Sequence, residues 1–151
     1  DWSNLFLSCA LCNQRYKRNL FPLLDPSKRA GSHHDDIRDE QPLFINPSED
    51  DPEQHIGFRA ETPYAIRGSR RGKVTIRALG LDRSELQEMR LRRLTEAKRI
   101  HRAARLLNKR RQQTGQLDSE SQSVLGDLEA ALKEYRDVAT EYSSMLKAAL
   151  S

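Results

Sequence analysis

The only two cysteines in this chain of 151 residues stand three positions apart, at Cys9 and Cys12. That spacing restricts what the first segment can become. A Cys-x-x-Cys turn aims two thiolates at one tetrahedral zinc, with bonds of about 2.3 Å. A redox dithiol uses the same spacing, and two ordinary buried cysteines are a third reading. Two thiolates are only half a structural zinc site. The pair runs straight into Asn13 and a basic helix start with Arg15, Lys17 and Arg18. Neither a redox pair nor simple packing requires that neighbourhood, so zinc is the retained reading. A metal staple would also matter energetically, because 36% hydrophobic residues and a mean hydropathy of −0.80 leave little material for one large core.

The length fits one or two small domains. No apolar run approaches the roughly 18 residues of a membrane span, and the first residues lack the basic end and apolar centre of a signal peptide. A cytoplasmic protein with reduced thiols is therefore expected. The net charge of +4 hides an uneven distribution. Lys plus Arg equal Asp plus Glu at 12 each over residues 1–82, exceed them 11 to 3 over residues 83–111, and trail them 3 to 7 over residues 112–151.

Residues 1–12 read as a strand leading into the cysteine turn, and residues 13 to about 20 as a short helix stopped by Phe21-Pro22. From Leu24 to Arg71 the chain is rich in Pro, Asp, Gly and Ser and should be irregular, with short strands at 43–45 and 73–79. His33 and His34 lie in a polar Gly-Ser-His-His-Asp-Asp run, where solvation is expected rather than metal binding. Asp50, Asp51, Glu53 and His55 could bind a cation or water. Acidic residues beside Pro52 also make an ordinary turn or helix start, and that reading is preferred.

The last seventy residues read as two long helices joined by a turn at Thr114-Gly115-Gln116-Leu117. Asp82 or Ser84 can cap the first, and Ser119 with Gln122 can cap the second. Leu125, Leu128, Leu132, Tyr135, Ala139, Tyr142, Leu146 and Ala149 alternate at spacings of three and four, facing Leu94, Ala97, Ile100, Ala104 and Leu107. An antiparallel hairpin follows. Val124, Ala131, Val138 and Met145 lie off that seam, which widens the apolar stripe and suggests a face offered to a partner protein. Arg90, Arg92, Arg93, Lys98, Arg99, Arg102 and Arg105 wrap the first helix, as a solvated face or one that meets phosphates or an acidic partner.

Trp2-x-Asn4-Leu5, then Cys9-x-x-Cys12-Asn13, then Tyr16-Lys17-x-Asn19-x-Phe21-Pro22-Leu23 resembles the second half of the HNH endonuclease motif, the ββα-metal site. Pro42-Leu43-x-x-Asn46-Pro47, Asp51-Pro52-Glu53 and Gly80-Leu81-Asp82-Arg83 narrow the resemblance, over about residues 1–95, to the HNH nucleases of Septu-type and retron-associated antiphage systems. In that subgroup Asn usually stands at the position of Asp82. The resemblance implies a small zinc-stapled ββα-metal core with irregular segments over residues 1–82. An α+β fold follows, completed by a partner-docking two-helix hairpin over residues 83–151.

The resemblance also implies roles. Asn4 would hold a general-base histidine in its working orientation, Asn13 would ligate a catalytic Mg²⁺ or Mn²⁺, and Cys9 and Cys12 would hold structural Zn²⁺. Arg15, Lys17 and Arg18 would meet nucleic acid, and a PtuA-like ABC-type ATPase would be the partner. Phosphodiester hydrolysis needs an activated water, a hard cation at the phosphate and a neutral imidazole to take the proton. In the family's order the acidic-His pair and a further Cys-x-x-Cys precede these residues, whereas His33, His34, His55 and His101 all follow them. The expectation is therefore a carboxy-terminal portion of a longer endonuclease for DNA, or RNA, catalytically incomplete alone. The alternative is a non-catalytic zinc-stapled helical adaptor or nucleic-acid-binding module.

Overall fold

The computed structural model describes residues 8–137 and 142–150. The described residues form two compact bodies, one within residues 1–57 and 63–83 and the other within residues 58–62 and 84–151. Leu11–Lys17 winds as a π-helix, α1 spans Arg70–Leu79, and strands β1 (Ile56–Arg59) and β2 (Thr62–Ala65) pair as an antiparallel hairpin. The hairpin's tip, residues 58–62, counts with the second body.

Residues 73–79, expected as a strand, lie in helix α1. Val74, Thr75 and Ile76 favour a strand locally, but Ser69 caps a helix by accepting from the Gly72 amide at 3.1 Å. Gly80 stops it with φ +57, and the Leu81 amide reaches back to the Ile76 carbonyl at 2.9 Å. Gly72, Thr75 and Ile76 are buried on one helical face. The expected strand at 43–45 is also absent: Leu43 donates to the Pro22 carbonyl at 2.9 Å and Ile45 to Thr75 Oγ1 at 3.2 Å. That segment is a strap lying on α1.

Arg71 holds the strap. Its guanidinium grips both carboxylate oxygens of Asp50 and donates to the Phe44 carbonyl at 2.7 Å. Asp50 in turn accepts from the Asn46 amide at 2.6 Å. Asp51 caps the 3₁₀ turn Pro52–Gln54 through the Glu53 amide at 3.0 Å. The acidic cluster thus takes the turn-start role preferred from sequence. His55 Nδ1 sits 2.9 Å from Ser69 Oγ, and the bare Cα of Gly72 lets α1 approach the His55 carbonyl, which an added Cβ would meet at 2.3 Å.

In the second body, α2 (Ser84–Thr114) and α3 (Ser119–Arg136) run antiparallel, tied by Asn108 to Glu129 at 3.1 Å and Arg93 to Tyr135 at 3.4 Å. Asp118 rather than Ser119 caps α3, through the Ser121 amide at 2.8 Å. The seam expected to run unbroken to Ala149 is interrupted, because α3 ends at Arg136 and a third helix, α4 (Ser143–Leu150), packs on both others. Ala139 and Val138 lie outside the described residues.

Met145, read from sequence as an outward-facing residue, is 1% exposed in a core with Leu94, Ala97, Tyr135, Leu146 and Leu150. Met145 thus serves α4 packing and no longer supports a partner face, whereas Val124 remains 45% exposed. Arg90, expected among the charges wrapping α2, is instead 4% exposed. Its guanidinium lies 5.2 Å from the Phe58 ring and 6.0 Å from the Tyr142 ring, with the Glu61 carbonyl accepting at 3.4 Å.

Candidate functional site

Cys9 precedes the π-helix, and its carbonyl accepts the Asn13 amide at 2.9 Å. Amides at a helix start favour negative charge. The Cys9 thiol accordingly falls below the ordinary thiol range, drawn down first by the Cys12 amide, then by the Leu11 amide and the Cys12 side chain, with Arg83 adding charge. The Cys12 side chain thus stabilises the Cys9 thiolate, as do the backbone amides that follow it.

Arg83 closes the turn from the far side. Its Nη1 donates to Cys12 Sγ at 3.3 Å and to the Gly80 carbonyl at 2.9 Å, while its guanidinium lies 5.5 Å from the Tyr16 ring. Tyr16 packs on Gly80 so closely that a Cβ there would meet the ring at 2.4 Å. The Gly80-Leu81-Asp82-Arg83 step therefore stops α1, seats Tyr16 and brings a cation to Cys12. The sequence shows the step but not its role, because the role depends on residues 70–79 being a helix.

Asn13 is exposed one position after Cys12, and its carbonyl accepts the Arg18 amide at 2.7 Å. Arg15 and Arg18 are exposed, with Arg18 Nε donating to the Arg15 carbonyl at 3.1 Å. Lys17 Nζ instead lies 5.8 Å from the Phe44 ring centroid. Asn4 lies outside the described residues. Beside the π-helix, Tyr16, Leu20 and Pro22 join Arg70, Lys73 and Arg77 of α1 around an open cleft of about 480 Å³. Those three cations, at helical spacings of three and four, were missed because 73–79 was read as a strand.

Among the described residues, no group of three His, Cys, Asp or Glu side chains is placed to hold a metal ion. The donor chemistry of Cys9 and Cys12 fits two corners of a tetrahedral zinc and leaves two unfilled.

No family model and no solved structure matches the chain. It is 37% identical over 91 residues, 60% of its own length, to the Septu protein PtuB of Bacillus mycoides (strain KBAB4), and it spans 30% of the length of that relative, which supports a Septu-type relationship.

Proposed function

We propose that this chain contributes the Cys-x-x-Cys-Asn portion of an HNH-type, metal-dependent endonuclease that cuts DNA, or RNA, in antiphage defence alongside a PtuA-like ABC-type ATPase. The observation that carries the reading is the Cys9-x-x-Cys12-Asn13 run set at the start of the π-helix, with the Asn13 amide bonded to the Cys9 carbonyl and Arg83 donating to Cys12 Sγ at 3.3 Å. The likeness to a Septu protein supports the defence role. Cys9 and Cys12 bind structural zinc, whose soft thiolate ligands disfavour Mg²⁺. Asn13 offers a neutral amide oxygen to a hard divalent ion that retains waters and phosphate oxygens. That ion, when bound, neutralises phosphate charge and activates water. Asn4 orients the general-base histidine. Arg15, Lys17 and Arg18, with Arg70, Lys73 and Arg77 along the neighbouring cleft, attract the phosphodiester backbone.

The test is plasmid and RNA cleavage by the protein at its natural length with its ATPase, in Mg²⁺ or Mn²⁺. Asn13→Ala should abolish cleavage while zinc content stays unchanged. A folded Asn13→Ala protein that cuts at the wild-type rate removes the assignment. Wild-type protein that binds nucleic acid yet cuts nothing with any divalent ion favours the zinc-stapled adaptor.

A further inference from the structure

The second body carries an open groove of about 930 Å³ between α2 and α4. Lys98, Arg102, Arg105 and Lys109 line it from one side. Their spacings of four, three and four keep them on one face of α2, in a row about 16 Å long at roughly 1.5 Å per residue. Each is exposed, and none forms an ion pair with a carboxylate among the described residues. Ala149 and Leu150 of α4 supply the opposite wall, with His101, Asn108 and Gln112 adding polar groups and no acidic side chain among the described lining residues.

From this geometry we infer that the α2–α4 groove binds the phosphate backbone of a nucleic-acid duplex without reading its sequence. Four unpaired cations in a row on a rigid helix match a row of phosphates. Single strands need aromatic platforms on which bases stack, and the groove has no Phe, Tyr or Trp. An acidic protein surface is the competing occupant. The inference is independent of the nuclease reading, because it concerns binding by the second body whether or not the first body cleaves.

The experiment measures binding of the purified chain to fluorescein-labelled 20-base-pair DNA and RNA duplexes of one sequence, to the single strand, and to poly-glutamate, across a salt series. The groove variant Arg102→Gln/Arg105→Gln/Lys109→Gln is compared with a charge-matched control away from the groove, Lys28→Gln/Arg67→Gln/Lys133→Gln. Helicity and melting are checked in parallel. The wild type should prefer a duplex to the single strand, and whichever of the DNA or RNA duplexes binds tighter identifies the natural backbone. The groove variant should lose at least about tenfold in duplex affinity, and its salt slope should fall by about one for each cation removed. The control should stay within about threefold. Equal losses in both variants, unchanged duplex binding in the groove variant, or tighter groove-dependent binding of poly-glutamate than of either duplex overturns the proposal. If the triple variant melts early, Arg105→Gln alone carries the test, since an isolated surface change of this kind seldom disturbs folding.

Discussion

Arg83 Nη1 lies 3.3 Å from Cys12 Sγ, a contact between residues 71 positions apart. The guanidinium is held there by the Gly80 carbonyl, so the donor is aimed at the thiol by the fold of the Gly80–Arg83 step itself. Partners of this kind orient metal ligands, and losing one commonly costs about 10–100-fold in metal affinity. Arg83→Ala should therefore weaken zinc retention by about that factor while Cys9 and Cys12 remain, as read by chelator competition. The wild-type protein should contain stoichiometric zinc by elemental analysis. Zinc-free protein with both thiols freely alkylated would sink the site, and unchanged retention in Arg83→Ala would sink the arginine's role.

Gly80→Ala should destabilise the first body by about 1–3 kcal/mol. The added methyl meets both a left-handed backbone, φ +57, and the Tyr16 ring at 2.4 Å. Tyr16→Ala on the Gly80→Ala background should recover the steric part and leave the backbone part. A urea midpoint for Gly80→Ala equal to wild type would contradict the packing described.

Acid should loosen the strap on α1. The Asp50 carboxyl is held below the usual carboxylate range chiefly by its hydrogen bond from Arg71. A depressed carboxylate contributes stability above its unfolded pKa of about 3.9, and that contribution is lost as pH falls through the lower folded value. Asp50→Asn should cost stability at neutral pH and flatten the decline on acidification. Parallel stability curves for both proteins between pH 6 and about pH 2 would exclude the linkage.

Met145→Ala should destabilise the helical body by about 2–5 kcal/mol, because it opens a cavity among Leu94, Tyr135 and Leu146. Val124→Ala, at a side chain 45% exposed, should change stability by well under that amount. Equal urea midpoints for the two variants would return Met145 to the surface.

Periodicity made the long helices legible, since Leu94, Ala97, Ala104 and Leu125 repeat at helical spacing and are buried. It could not register the end of α3, because the 3–4 alternation continues through Tyr142 and Leu146 even though α4 packs as a separate helix. Composition marked 24–71 as irregular, but the pairing of Ile56–Arg59 with Thr62–Ala65 was hidden by Pro63 within so short a strand. At the candidate site, the Cys-x-x-Cys-Asn spacing was readable because its partners are local. Arg83, Arg70 and Lys73 were not, because their roles depend on α1 being a helix.

The tip of the β1–β2 hairpin gives the chain an unusual wiring. Residues 58–62 belong with 84–151, so the backbone passes between the bodies at three points rather than one. Phe58 and the Glu61 carbonyl are the immediate surroundings of Arg90. A fragment beginning at Ser84 would therefore take the Phe58 ring and the Glu61 carbonyl away from the Arg90 guanidinium and leave it only the Tyr142 ring as an aromatic neighbour among the described residues. Proteolysis between residues 83 and 84 alone should leave the pieces joined as a nicked species, which native gels would detect as co-migration.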